Sequence, residues 1–161
     1  MAEYFKAKGK KEVKYIMIQG TLGNVSTTKR SAGVIRTLED NGIKATEAQA
    51  PLVADWDRPT AQEMVQPLVA AIEYDCIISN NDAMALGAIE AAKSANKKIF
   101  IVGFDGTADG VKAVENGAMS ATIAQQPEVM GKQGLEVAVK AAKGEKVDAK
   151  VSAPLKLIEK K

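Results

Sequence analysis

Short continuous apolar runs alternate along this chain with longer segments of helical period, and that alternation restricts the fold more than any other feature. Val13–Ile18, Tyr74–Ser79 and Lys98–Phe104 read as buried-type strands, and Ser120–Ala124 as a further one. Between them lie helical segments: Met1 to Lys8, Ser26 to Asp40, Pro59 to Ile72, Asp82 to Ala95, Thr107 to Glu115 and Pro127 to Lys143. On the Ser26–Asp40 segment Ala32, Ile35 and Leu38 recur at three-residue spacing; Ser26 or Thr27 caps it and Asn41-Gly42 stops it. Ile43 to Ala50 suits a more polar outer strand, 51–58 a loop, and Pro59 the first turn of the next helix. Pro67 falls inside that helix and predicts a kink or break. A last extended stretch runs from Pro154 to Ile158. Strands and helices spaced this way build right-handed βαβ units. The expected fold is an α/β, doubly wound, Rossmann-like lobe with a mostly parallel sheet of about five or six strands.

Composition excludes several chemistries. The chain has 161 residues and no histidine, so Ser-His-Asp triads and HExxH zinc sites are ruled out. Its one cysteine, Cys76, lies in an apolar run without a CxxC partner and reads as a buried strand residue. Net charge is +2 with both signs interspersed, so a basic stripe for nucleic acid is missing. No run approaches the ~20 apolar residues of a membrane helix, and no signal peptide precedes the fold. Gly20-Thr21-Leu22-Gly23-Asn24 lacks the third glycine of GxGxxG and the GK[ST] of a P-loop. A receiver-type phosphoacceptor needs an acidic pair where Gln19 and Gly20 stand. Asp55 and Asp57 form a local carboxylate pair, but neighbouring Arg58 favours an ion pair or a loop-shaping role over acid–base chemistry. No nucleophile stands beside a base. The chain reads as a binding protein rather than an enzyme, with neither cofactor nor metal.

In an open α/β sheet, ligands bind outside the carboxyl ends of the strands. Arg30, Trp56, Asn81, Asp105 and Gln125 all fall on that rim. Arg30 is donor-only and Asp105 acceptor-only, while Asn81 and Gln125 are both. Such a set matches vicinal hydroxyls, and the indole of Trp56 matches the C–H face of a sugar ring. Each residue also has a plainer reading. Asn81 could only cap a helix, Asp105-Gly106-Thr107 could only turn the chain, and Trp56 could only close the core. Arg30 could be a solvated charge, and Gln125 could merely shape the turn before Pro127.

Three motifs carry a resemblance over the whole chain. Asn80-Asn81-Asp82-Ala83-Met84-Ala85-Leu86-Gly87-Ala88, Val102-Gly103-Phe104-Asp105-Gly106-Thr107 and Ala121-Thr122-Ile123-Ala124-Gln125-Gln126-Pro127 resemble the carboxy-terminal lobe of bacterial sugar-binding proteins of the ribose/galactose type. The resemblance implies two similar lobes closing on a monosaccharide, pentose or hexose, for an ATP-driven importer whose membrane permease is the partner. It implies that Arg30 contacts sugar hydroxyls, that Trp56 stacks on the ring, and that Asn81, Asp105 and Gln125 complete this half of the site. Trp56 is similar to hexose binders and Gln125 to ribose binders, so the sugar stays open. The effector lobe of LacI-type repressors is the alternative, which Gln125-Gln126-Pro127 and Leu155-Lys156-Leu157-Ile158 disfavour.

By the same resemblance, 1–125 is the sugar-binding lobe, 126–154 crosses into an amino-terminal lobe missing here, and 155–161 returns as a strand. Met1 resembles an internal start, and one lobe alone should bind weakly. The implied location is periplasmic or extracellular for the parent receptor, and cytoplasmic for a chain made as it stands. A helix 127–143 deprived of its lobe should pair with a second copy as a homodimer.

Overall fold

In the computed structural model, which describes residues 1–160, the strands stack about one central member. The order along the chain is α1 (Ala2–Ala7), β1 (Glu12–Gln19), α2 (Val25–Asp40), β2 (Lys44–Glu47), β3 (Leu52–Val53), α3 (Arg58–Val65) and α4 (Leu68–Ala71). It continues with β4 (Cys76–Ser79), α5 (Asp82–Ser94), β5 (Phe100–Val102), α6 (Ala108–Glu115), β6 (Ala121–Ala124), α7 (Pro127–Ala142) and β7 (Lys156–Glu159). The sheet runs β2-β1-β4-β5-β6-β7, with β3 also on β1. Every pairing is parallel except β6 with β7, which is antiparallel. The fold is thus the α/β, mostly parallel architecture that the alternation predicts.

Period-two alternation sorts the strand side chains into two cores. Ile16, Ile18, Ile77 and Ile101 face the layer built by α3, α5 and α6, together with Met84 and Val114. Tyr15, Met17, Cys76 and Ile78 face the opposite layer, with Phe5 of α1 and Leu38 of α2. Cys76 is fully buried, and burial pushes its thiol up to about 12, which leaves it inert.

Several local expectations need correction. Asn24, not Ser26 or Thr27, caps α2: its Oδ1 accepts from Ser26 N at 2.8 Å. Thr27 instead donates its hydroxyl to Thr21 O at 3.0 Å. Ala32 is exposed, and the buried side of α2 carries Val34, Ile35 and Leu38. Steps of three residues drift around a 3.6-residue helix, so three such positions do not share one face. The outer strand expected over 43–50 is shorter, and the loop expected over 51–58 contains β3. Both pieces lie on one edge of β1, interrupted before Pro51, which has no N–H for a ladder. The break at Pro67 is present: α3 ends at Val65 and α4 restarts at Leu68. Among the described residues no helix is long and apolar enough to cross a membrane.

Gln126 to Pro154 leaves this body as an arm. No residue of α7 is buried, and the arm closes at its root where Gln126 Nε2 donates to Pro154 O at 2.7 Å. Of the return segment expected over 155–161, Lys156–Glu159 forms β7, and Lys161 lies outside the described residues.

The alanine-rich face of α5 explains how closely it packs on α3. Ala61, Ala85, Ala88 and Ala91 are buried there, and a Cβ on Gly87 would stand 2.2 Å from Arg58 O. That neighbour is backbone, so the helices must separate to admit a methyl. Gly87→Ala should therefore destabilise the fold by about 1–3 kcal/mol, despite alanine's better helix propensity. Urea unfolding would measure this, and an unchanged or raised midpoint would contradict the packing account.

Candidate functional site

All five rim residues singled out in the sequence come together at the carboxyl ends of the strands, joined by direct contacts. Arg30 projects from α2 across the ends of β4 and β5. Its Nη1 donates to Asn80 O at 2.7 Å and to Asp105 Oδ1 at 3.0 Å. Gln125, at the end of β6, donates through Nε2 to the same Asp105 oxygen. Trp56 lies beside the guanidinium, with Arg30 Cζ 5.6 Å from its ring centroid. Asn81 closes the cluster, its Nδ2 donating to Trp56 O at 3.3 Å.

The Arg30–Asp105 pair is only partly shielded, the two side chains retaining 16% and 26% of their exposure. A pair so placed is neither dissolved in bulk water nor sealed from a ligand. Among the described residues only Oδ1 of Asp105 is engaged, so its second oxygen is left to accept from a ligand hydroxyl. This mixed donor–acceptor rim beside an indole can hold a neutral polyol. Among the described residues no group of three or more carboxylate or thiol side chains is gathered for a metal ion.

Some plainer readings hold at the same time. Asn81 does cap α5, accepting from Met84 N at 2.9 Å while its amide reaches Trp56. Thr107 caps α6 through Gly110 N at 3.1 Å, so the Asp105-Gly106-Thr107 segment turns the chain and starts a helix. Asp57 caps α3 through Thr60 N at 2.9 Å. Arg58 pairs with Glu90 of α5 and not with the Asp55–Asp57 pair, so its part is to tie two helices together.

Other participants escaped the sequence reading. Phe104 reads as a strand residue, yet its ring centroid lies 4.0 Å from Arg30 Cζ, nearer than that of Trp56. The buried Asn80 supplies the carbonyl that holds Arg30, and its side chain bonds Ser31 Oγ at 3.1 Å. Asp82, beneath the rim, is fully buried. Burial pushes its carboxyl above the usual range, bonds from Thr122 and Thr107 pull it back, and the charge of Asp105 adds to the rise. Only Asn80 and Asp82 had a usable signal, as polar residues straight after an apolar strand.

The indole of Trp56 is seated by a glycine: a Cβ on Gly20 would stand 2.1 Å from its Cε2. Gly20→Ala should therefore shift the Trp56 emission maximum while leaving the far-ultraviolet dichroism unchanged. An identical emission spectrum would mean that the ring does not rest on Gly20 in solution.

The chain matches known proteins over most of its length. A model of the periplasmic binding protein domain matches residues 1–146. The ribose import binding protein of Haemophilus influenzae is 44% identical over 146 residues, covering 90% of this chain and 49% of that protein. Its counterpart in Escherichia coli is 38% identical over 160 residues, covering 98% of this chain and 53% of that protein. A solute-binding protein of Bacillus halodurans with bound myo-inositol superposes with a TM-score of 0.82 at 27% identity, over 98% of this chain and 55% of its own. A solute-binding protein of Actinobacillus succinogenes with bound D-allose has the same fold, with a TM-score of 0.85 at 21% identity over 98% and 56%. The chain spans about half the length of the relatives it matches. By its sequence and its fold, it belongs to the periplasmic binding protein family.

Proposed function

We propose that this chain binds an aldose, pentose or hexose, as one lobe of a solute-binding receptor for an ATP-driven importer. The observation that carries the reading is the Arg30–Asp105–Gln125 cluster set beside the face of Trp56. Two relatives at 38–44% identity are named for ribose import, which makes ribose the first sugar to try. In this reading Arg30, Asn81, Asp105 and Gln125 meet hydroxyls and Trp56 covers the apolar ring face. The lobe comprises residues 1–125, the arm 126–154 reaches toward an amino-terminal lobe, and 155–161 returns. The whole receptor works outside the cytoplasmic membrane and delivers to a membrane permease. No catalytic step is proposed.

One lobe covers one side of a sugar, whereas a good small-molecule site encloses about 70–90% of its ligand. Forgoing two or more charged hydrogen bonds, at about 1.5–3 kcal/mol each, moves a micromolar binder to about the millimolar range or beyond. Titration of Trp56 fluorescence with aldoses, nucleotides and acyl compounds should give a saturable response to aldoses alone, ribose included. Arg30→Ala should remove it. Submicromolar affinity would refute the half-site account, and turnover of any compound would refute a binding role.

For assembly, the homodimer through 127–143 is supported by the exposed Met130, Leu135 and Val139 of a helix that buries nothing. Each such side chain gains about 1.5–3 kcal/mol when covered, and a second copy offers the same helix, so that two-fold pairing closes the assembly. Light scattering at high micromolar concentration should report a dimer that Leu135→Asp dissociates. A monomer, or a dimer indifferent to that substitution, would sink this part of the proposal.

A further inference from the structure

Beneath the rim, one carboxylate ties three chain segments together. Asp82 opens α5 and is fully buried. Its Oδ1 accepts from Thr122 Oγ1 of β6 at 2.6 Å. Its Oδ2 accepts from Thr107 N at 2.8 Å and Thr107 Oγ1 at 3.1 Å, both just beyond the Asp105-Gly106 turn. The donors are themselves acceptors for the next groups out. Thr122 Oγ1 receives Gly106 N at 3.3 Å, and Thr107 Oγ1 receives Gly110 N at 3.1 Å. The two threonine hydroxyls and Thr107 N all donate to Asp82, which must be acceptor-only for the network to close.

Two glycines wall the carboxylate in. A Cβ on Gly103 would come within 2.3 Å of Oδ1, and one on Gly110 within 2.2 Å of Oδ2. The carboxylate thus has little room to turn, and it holds Thr122 of β6 and the turn after β5 at one mutual distance. Those two segments carry Gln125 and Asp105. Asp105 also has a φ of 114°, which a non-glycine residue keeps only when its surroundings impose it.

We propose that Asp82 is a positioning residue for the sugar site, fixing Asp105 and Gln125 through Thr107 and Thr122 without touching the ligand. The proposal rests on the aldose-binding reading for its effect on affinity, but not for its effect on the turn. Asn in place of Asp82 keeps the shape and reverses one polarity. Its NH2 must face either the donors of Thr107 or the hydroxyl of Thr122, which then loses its acceptor.

The test uses the whole chain and two readouts. Amide hydrogen exchange should show Gly106 and Thr107 opening at least about tenfold faster in Asp82→Asn, the scale of one lost hydrogen bond to a charged group. Amides of β1 and α3 should keep their wild-type rates. Trp56 titration with ribose should show about tenfold weaker binding for Asp82→Asn, on the same scale. In the Asp105→Ala background the same substitution should cost less than about twofold, since a residue acting through Asp105 adds nothing once it is gone. Equal acceleration of the β1 and α3 amides, or unchanged Gly106 and Thr107, would overturn the proposal, as would an additive loss in the double variant. If the wild-type chain gives no response to any aldose, the aldose reading fails, and the exchange pattern alone decides the role of Asp82.

Discussion

Once Tyr15–Ile18 pairs in parallel with Cys76–Ser79 on one side and with β2 and β3 on the other, few choices remain for the rest of the molecule. A strand in mid-sheet must have both faces covered, which is why Val13 and Tyr15–Ile18 are buried without a polar side. Parallel neighbours must be joined by crossovers that return to the same end. Every strand from β1 to β6 consequently delivers its carboxyl end to one rim, and residues as distant as Arg30 and Gln125 are brought within reach of a single carboxylate. The site is a consequence of strand direction. No long loop has to fold over to assemble it.

The backbone at that rim is held away from its preferred conformations. Non-glycine residues with positive φ are Asp55, Trp56, Asn96, Asp105 and Gln126, and all but Asn96 lie at or beside the site. Such conformations cost about 1–3 kcal/mol each and persist only where the surroundings over-determine them. For Trp56, with a φ of 69°, the surroundings are the bare Gly20 beneath the indole and the Asn81 amide on its carbonyl. For Asp105 they are the Asp82 network and the continuation of the β5–β6 ladder, in which Asp105 N donates to Ile123 O at 2.8 Å. Trp56 and Asp105, two of these strained residues, present an aromatic face and a carboxylate at the rim.

Legibility in the sequence followed the range of the interaction. Strand and helix alternation, the stop at Asn41-Gly42 and the break at Pro67 are local, set by apolar period and by residues with restricted backbones, and they survive in the structure. The choice of Asn24 over Ser26 as cap was not legible, because a Ser-Thr-Thr run offers several side chains of equal competence. The rim residues were legible as a set, since a rule about strand ends placed them together without coordinates. Their wiring was not. That Phe104 faces Arg30, or that Arg58 reaches Glu90, depends on side-chain directions between segments far apart in sequence.

Gln125 and Gln126 show how closely the rim cluster and the arm are joined. Gln125 bonds the carboxylate that Arg30 holds, while Gln126, its neighbour, has a φ of 54° and donates to Pro154 O at 2.7 Å. Pro127 follows at once, with its own φ fixed by the ring, so no flexible residue separates the Gln125 amide from the first turn of α7. On the return side β7 pairs with β6 over Ala121–Ala124, the same short strand that leads directly into Gln125. Both roots of the arm are therefore anchored on β6, and Asp82 grips β6 from below through Thr122. A strand of four residues thus leads into Gln125, roots the arm on both sides and meets a buried carboxylate through Thr122. The bonds that hold Gln125 on Asp105 and the bond that closes the arm on Pro154 therefore start from adjacent residues.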